Sequence, residues 1–310
     1  MWCSRDSKLL MIICMLMVGA ICRAQYHPQY SQYMFNGLAL NPAYAGSQEV
    51  LNLAALYRTS QFGNSIDGAP VTQTLAGDFP LRNPQLALGL LVFNDKISIF
   101  RQTGAYFAYS FRVKAGEGKL AFGLQAGFDL QHEDFNYDKL TIRDPEDPMF
   151  KGEVHNTFMP NAGAGVYYNK SNLFIGLSVP QILTYSPNTA DSYSGKPVLS
   201  NFILYGGVIL PAGRNFKVKP SGLLQHARSD FLFDVNCNFA MFREMFEIGA
   251  SWRSSNTLVG MVQFKINSFC IGYAHDYALR KPSAINTTHE IMLRYDFKIM
   301  VKAVNPLRLK

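Results

Sequence analysis

Acidic side chains cluster twice in one polar stretch, at His132–Asp134 and at Asp144–Asp147. Clustered carboxylates are ligands that hard cations such as Ca²⁺ prefer, so a calcium site is one interpretation. The spacing lacks the central glycine and the terminal glutamate of a helix-loop-helix calcium loop. A solvated acidic loop is therefore the favoured interpretation, and calcium binding stays the alternative.

Two further pairs, His275-Asp276 and His289-Glu290, combine residue types that suit metal binding or acid–base catalysis. Both pairs lie in segments with strand patterning, where adjacent side chains point to opposite faces. Neither pair converges on one ion by itself, so positions at a membrane girdle and in a lumen are favoured. The chain has no recognisable Ser-His-Asp set, HExxH motif or glycine-rich phosphate loop. We therefore predict no enzyme activity, no catalytic residues, no metal ligands and no cofactor.

The elements that would position these residues are alternating segments. From Lys119 to Gln131, large or apolar side chains at even-numbered positions oppose small or polar side chains at odd-numbered positions, without a break. Since successive side chains of a strand point to opposite faces, one face of this segment is apolar and the other is polar. The same pattern recurs at 231–239, 246–253 and 290–297.

Segments of this kind predict fourteen strands. They lie near 49–59, 71–79, 85–94, 101–113, 118–131, 156–169, 171–179, 199–210, 214–226, 230–240, 244–253, 256–266, 268–277 and 287–298. Links after even-numbered strands are all short, whereas every long link follows an odd-numbered strand: Ser60–Pro70, His132–His155, Pro180–Val198 and Ala278–Asn286. Outer-membrane barrels have short periplasmic turns and longer outer loops. The pattern predicts an all-β fold, a transmembrane antiparallel β-barrel whose closure leaves no strand edge in lipid.

Composition supports a barrel over the two common alternatives. Charged residues make up 16% of the 310 residues, below the roughly 25% of soluble domains. The mean hydropathy of −0.01 is lower than stacked apolar helices would give. Basic residues account for the net charge of +7 but are scattered, so nucleic acid is not expected as a partner. A soluble β-propeller or sandwich is the third, less favoured, class.

The termini flank the barrel with other kinds of sequence. Residues 1–24 have a basic start and a short apolar run, which predicts a cleaved signal peptide. Residues 25–48 lack strand patterning and are rich in aromatics, which predicts a plug-like segment inside or beneath a barrel at 49–298. Residues 299–310 form a basic tail, expected in the periplasm. Cys237 and Cys270 fall on non-neighbouring strands, so no disulfide is expected.

Three single features complete the expectations. Pro220 lies within a predicted strand and removes a ladder hydrogen bond, which predicts a bulge or a break there. Glycines at 123, 127 and 249 on inward faces leave space in the lumen. Aromatic residues near strand ends are expected at the membrane interface, with the lumen as the alternative position; these are Tyr167, Tyr168, Trp252 and Tyr295.

Two characteristic pieces precede the first predicted strand, 30–36 (YSQYMFN) and 41–47 (NPAYAGS). Further pieces follow in order: Tyr57-Arg58 with 68–70, 93–95, 122–127, 163–168, 176–180, 249–253, 271–276 and 288–291. Together these pieces resemble the PorP/SprF family, outer-membrane proteins of the type IX secretion and gliding machinery of Bacteroidetes. Ala274-His275-Asp276 and Gly37 depart from the family pattern. The resemblance covers nearly the whole chain after the signal.

The resemblance implies an outer-membrane component that supports export or surface anchoring of secreted proteins, with a link to gliding motility. The implied partners are type IX secretion subunits and exported proteins with C-terminal sorting domains, together with outer-membrane lipid. The candidate partner-binding residues are Tyr30, Tyr33, Phe35, Asn36, Asn41, Pro42 and Tyr44. The long loops at 132–155 and 180–198 are further candidate contact surfaces. The alternative function is a passive channel or a hydrophobic-solute transporter.

Overall fold

Fourteen antiparallel strands close into a barrel in the computed structural model, which confirms the predicted fold class. The structure describes residues 30–60, 68–135, 154–186, 194–197, 201–227, 230–279 and 287–297. The first seven barrel strands are β1 (Leu51–Thr59), β2 (Val71–Pro80), β3 (Leu86–Ile97), β4 (Phe100–Ala115), β5 (Gly118–Asp134), β6 (Val154–Lys170) and β7 (Leu173–Val179). A separate two-stranded hairpin follows, formed by β8 (Leu183–Ser186) and β9 (Ser194–Pro197).

The second half of the barrel begins at β10 (Asn201–Val208), which pairs with β7. The two-residue β11 (Leu210–Pro211) continues its line. The remaining strands are β12 (Phe216–Ala227), β13 (Asp230–Met241), β14 (Phe246–Arg253), β15 (Thr257–Ile266), β16 (Phe269–Ala278) and β17 (Thr287–Phe297). β17 pairs with β1 and closes the sheet, so both the first and the last strand have a partner on each side.

The two faces of each strand differ as the alternation predicts. On β5, Leu124 is 64% exposed on the outside of the barrel, whereas Gln125 and Asp129 are buried in the lumen. The other strands repeat this arrangement, with Phe231, Phe233 and Val235 outward on β13. An exposed apolar belt of this size would be unfavourable in water. Hydrocarbon is the medium that suits it, which agrees with an outer-membrane location.

Loop lengths segregate between the two ends of the barrel. The connections 81–85, 116–117, 171–172, 209–215, 242–245 and 267–268 lie at one end, called here the short-turn end. The strands that flank the longer connections, 60–70, 135–153, 180–200 and 279–286, end or begin at the opposite end, called here the long-loop end. By the rule for outer-membrane barrels, the short-turn end faces the periplasm. β1 begins and β17 ends there.

The prediction of a break at Pro220 is wrong. β12 runs continuously through Pro220, which pairs with Cys237 of β13. The interruption lies in the neighbouring ladder instead, because β10 stops pairing at Ser221 and β11 resumes at Val218. A proline without an amide hydrogen interrupts one ladder and leaves its own strand intact.

Other expectations on single residues are resolved by the side-chain directions. Trp252 and Tyr295 face outward and are exposed, as predicted for girdle positions. Tyr167 occupies the alternative position, since its ring is buried in the lumen against Tyr44 and Tyr205. Cys237 and Cys270 are free thiols on β13 and β16. No helix in the described part of the chain is long and apolar enough to span a membrane.

Some predictions fall outside the described residues. These are the signal peptide at 1–24, the first residues of the plug-like segment, the basic tail at 299–310 and the acidic cluster Asp144–Asp147. The other acidic cluster ends β5, where the His132 ring hydrogen-bonds to Asn156 and Glu133 accepts from Gln131. Within the described ranges, no group of three or more His, Cys, Asp or Glu side chains is arranged to hold a metal ion. The solvated acidic loop stays the prediction, with calcium binding as its alternative.

Candidate functional site

The segment that precedes the first strand lies inside the barrel. Residues 30–48, called here the lumen segment, contain a 3₁₀ turn at Tyr33–Phe35, a four-residue helix α1 at Gly37–Leu40 and a second 3₁₀ turn at Pro42–Tyr44. Asn41 caps the last turn, since its side-chain oxygen accepts a hydrogen bond from the Ala43 amide at 2.9 Å. Pro42 follows at the first helical position, where its missing amide hydrogen is no loss.

One end of the lumen segment is held by carboxylates of the last two strands. Glu290 of β17 is fully buried, and its two oxygens accept the backbone amides of Ser31 and Gln32, each at 2.8 Å. Asp276 of β16 accepts the Ser31 hydroxyl at 2.7 Å. Hydrogen bonds to charged acceptors are about twice as strong as neutral ones, so this contact fixes the segment firmly.

The same carboxylates belong to a buried chain of alternating charges on the barrel wall. Arg58 of β1 bridges Asp276 at 2.7 Å and Glu290 at 3.2 Å. Arg253 of β14 then connects Asp276, at 3.5 Å, to Asp234 of β13, at 3.0 Å. Three acids and two arginines leave one negative charge over. The two amides that Glu290 receives from the lumen segment partly compensate that charge, so the network and the segment stabilise each other.

Two charged side chains of the barrel wall hold the other end of the lumen segment. Asp78 of β2 accepts the Gly46 amide at 2.6 Å. The Arg112 guanidinium of β4 donates to the carbonyls of Ala45 and Gly46. An arginine fork reaching two successive carbonyls is rigid, so the chain enters β1 in a fixed direction.

Between its two ends, the lumen segment packs against the wall of β5 and β6. The Asn41 amide donates to the Val166 carbonyl at 3.0 Å. A Cβ atom at Gly123 would lie 2.1 Å from the Ala43 nitrogen, and one at Gly165 would lie 2.1 Å from the Asn41 oxygen. The inward glycine at position 123 therefore does not leave open space, as the sequence suggested, but allows direct contact with the segment.

The tyrosines of the lumen segment are neutral. Burial raises the pKa of the Tyr33 phenol to about 12, and it also raises the pKa of Tyr30 and of Tyr44 above the usual range. Tyr30 shares a hydrogen bond of 3.1 Å with the Thr74 hydroxyl. Tyr44 accepts a hydrogen bond of 2.9 Å from the Gln48 amide. Tyr30 and Tyr44 thus fill the lumen as apolar bodies with one polar contact each, which is the usual arrangement for buried tyrosine.

A second stretch of chain enters the lumen from the opposite end. After β7 the chain turns inward, and the Pro180 carbonyl accepts the Gln125 amide at 2.7 Å. Gln181 donates to the Tyr106 hydroxyl and to Asp129, and Leu183 exchanges two hydrogen bonds with the Asn161 side chain. Residues 180–183 thus cover the lumen segment from the long-loop side.

Two cavities remain around the lumen segment. The smaller, of about 70 Å³, lies between the lumen segment and residues 180–181. The larger, of about 310 Å³, lies toward the short-turn end, with Met34 and Phe35 on one side and Lys219, Glu244 and Lys265 among the residues on the other. The periplasmic side of the barrel is therefore where solvent meets the lumen segment.

Comparison with known proteins decides the family. The sequence pattern of the family described as type IX secretion system membrane protein PorP/SprF matches residues 22–295. The chain belongs to the PorP/SprF family. No curated protein matches its sequence.

Solved structures share the barrel of this PorP/SprF protein at low identity. The CymD monoaromatic hydrocarbon channel is 11% identical, with a TM-score of 0.51 over 84% of this chain and 92% of that chain. A Pseudomonas aeruginosa FadL homologue is 9% identical, with a TM-score of 0.47 over 87% and 95%. Acinetobacter baumannii Omp33 is 10% identical, with a TM-score of 0.43 over 80% and 96%. Because its sequence identity is low, the likeness to CymD bears on the fold alone.

The predicted partner-binding residues of the PorP/SprF chain all lie in the lumen segment. Six of them are buried, namely Tyr30, Tyr33, Asn36, Asn41, Pro42 and Tyr44. Phe35 is half-buried and lines the larger cavity. Burial gives the six a role in seating the segment, and partner binding by any of the seven stays a prediction.

Sequence reasoning missed the residues that hold the lumen segment. The sequence patterns point to Arg58 only within a family piece, and to Asp276 and Glu290 only within family pieces and as neighbours of His275 and His289. They point to neither Asp78 nor Arg112. The sequence offers one sign of them, which is a charged residue on the inward face of a predicted strand. The lumen segment fills the space inside the barrel, so such a side chain is buried. Such a residue needs a partner, and a segment rich in backbone amides is available in the lumen.

Proposed function

We propose that this PorP/SprF protein supports the export or surface anchoring of secreted proteins by binding protein partners in the outer membrane. The observation that carries the proposal is the family match across residues 22–295. Membership in a type IX secretion family implies interaction with secretion components. The proposed cargo is exported proteins with C-terminal sorting domains, and we propose a link to gliding motility. In this role the protein binds its partners and catalyses no reaction.

Occupation of the lumen favours binding over solute passage. Charged side chains of the barrel wall hydrogen-bond to the lumen segment at both of its ends, and residues 180–183 lie over it. A passive channel would need a continuous aqueous or apolar path through the same space. The likeness to CymD, at 11% identity, concerns the barrel and does not extend to transport.

Phe35 is the predicted contact residue that a periplasmic partner reaches most directly. It lines the cavity of about 310 Å³ toward the short-turn end. Aromatic side chains are enriched at protein interfaces, and truncating one at the centre of an interface commonly costs more than about 1 kcal/mol. The long loops at 132–155 and 180–198 are the second contact surface that we propose, at the long-loop end of the barrel.

Affinity capture from detergent-solubilised outer membranes tests the proposed function. Wild-type protein is expected to recover type IX subunits or exported proteins, identified by mass spectrometry. Phe35→Ser is expected to lower their recovery about tenfold. Phe239→Ser is the matched control, because Phe239 is 50% exposed on the outer face of β13 and lies away from the cavity. Recovery of no secretion component by the wild type would contradict the proposal.

Conductance separates the proposal from the channel alternative. Purified protein inserted into planar bilayers is expected to be silent while the lumen segment is seated. Steady open-channel currents from the wild type would favour the passive channel instead.

A further inference from the structure

Two histidines meet on the outer face of the barrel near its long-loop end. His275 of β16 and His289 of β17 are directly paired across the strands. Both are half-buried on the outward side, close to the ends of β16 and β17 that adjoin the 279–286 connection. Their ring centroids are 4.7 Å apart, and their Nδ1 atoms are 3.4 Å apart.

This spacing fits two ligands of one metal ion. Histidine nitrogens bind Zn²⁺ at roughly 2.0–2.1 Å, and two of them at a tetrahedral angle are then about 3.3–3.4 Å apart. The strands are hydrogen-bonded to each other along their length, so the two rings are held in register before any ion arrives. Preorganised ligands lose little entropy on binding.

A third donor stands next to the pair. The Tyr273 hydroxyl lies 2.7 Å from Nδ1 of His289. When an ion takes the Nδ1 lone pair of His289, this hydroxyl gives up its hydrogen bond to the ring and lies close enough to accept one from a metal-bound water. The neighbouring acids do not take part, because Asp276 and Glu290 point to the lumen and bind Arg58 and the lumen segment.

We propose that His275 and His289 form a two-histidine site for a divalent transition metal ion, with Cu²⁺ bound more tightly than Zn²⁺. Imidazole suits both ions, and the general affinity order places Cu²⁺ above Zn²⁺. Water completes the coordination on the solvent side at the membrane surface. The site is independent of the proposed export function and lies on the opposite face of the wall from the lumen contacts.

Cu²⁺ binding to the detergent-solubilised full-length protein, purified without a histidine tag, tests the site. Electron paramagnetic resonance is expected to show one Cu²⁺ per chain with two imidazole nitrogens, and calorimetric titration with Zn²⁺ should give a weaker one-site isotherm. His275→Gln and His289→Gln should each lower the Cu²⁺ affinity at least about tenfold, since even outer-shell partners of a metal are worth that much. His226→Gln is the matched control, because that ring packs against Phe202 and Phe231.

A labelling experiment on the wild type covers the case of poorly folded variants. Zn²⁺ is expected to protect His275 and His289, but not His226, from carbethoxylation by diethyl pyrocarbonate, as read by mass spectrometry. Unchanged Cu²⁺ affinity in both folded variants, or equal labelling with and without Zn²⁺, would overturn the proposal.

Discussion

Arginine in place of Leu124 is expected to destabilise the barrel by about 2–4 kcal/mol, the cost of that side chain near a bilayer midplane. Leu124 is 64% exposed on the outer face of β5, and its neighbours on that face, Phe122 and Ala126, offer no partner for a charge. The guanidinium would face hydrocarbon without a carboxylate. Urea titration of the folded band in lipid vesicles measures the change in the free energy of unfolding.

Leu130→Arg is the matched control for Leu124→Arg. It is the same substitution on the same face of the same strand, six positions nearer the long-loop end. The cost of arginine falls to roughly 0–1 kcal/mol near the membrane interface. If both variants lose the same free energy of unfolding, Leu124 does not lie deeper in the bilayer than Leu130. If neither variant loses any, the outer face of β5 does not contact lipid.

The strand architecture was predictable because a bilayer imposes a strict rule on each segment. A strand between lipid and lumen must alternate, and β5 does so from Lys119 to Gln131 without exception. The lengths of the connections between strands give the second rule, because the turns on the periplasmic side are short. These local rules needed no knowledge of distant contacts, and the predicted strands therefore lie within a few residues of the observed ones.

The contacts inside the barrel depend on the register between paired strands and on residues that are far apart in the sequence. The alternation of apolar and polar residues within a strand predicts neither. The sequence suggested that His275-Asp276 and His289-Glu290 could not each converge on one ion, and this is true of each adjacent pair. It could not show that β16 and β17 pair in the register that places the two histidines together outside and the two acids close to Ser31 inside. The contact between Ser31 and Glu290 spans most of the chain.

Pro220 and Tyr167 illustrate the same limit at single positions. Proline at position 220 removes one amide hydrogen from β12, and this can interrupt the pairing with only one of the two neighbouring strands. The sequence alone does not show that the interrupted pairing is the one with β10 and not the one with β13. Tyr167 lies near a strand end, where girdle aromatics are common, yet its odd position on β6 points it toward Tyr44. The face of a residue in a barrel decides its role before its depth does.

Replacing Glu290 with alanine is expected to unseat the lumen segment while the barrel stays closed. The change leaves the Ser31 and Gln32 amides without their buried acceptor and removes one of the two carboxylates that Arg58 contacts. Each buried amide left unpaired costs about 1–3 kcal/mol. The free energy that holds the segment should therefore fall by at least about 2 kcal/mol, which corresponds to roughly thirty-fold faster exchange of its amide hydrogens.

Hydrogen–deuterium exchange of peptides covering residues 30–46 measures this release, and bilayer conductance gives a second readout. Glu117→Ala is the matched control, because the Glu117 side chain lies in a short turn, is 78% exposed and pairs with Lys170 at the barrel surface. Retention of the heat-modifiable folded band in both variants establishes that the barrel survives. Because the strand ladder of β17 uses backbone groups, the Glu290 side chain contributes little to closure and much to seating the segment. Unchanged exchange in the Glu290 variant would show that Asp78, Arg112 and the packing against Gly123 suffice to hold the segment without the outer contact.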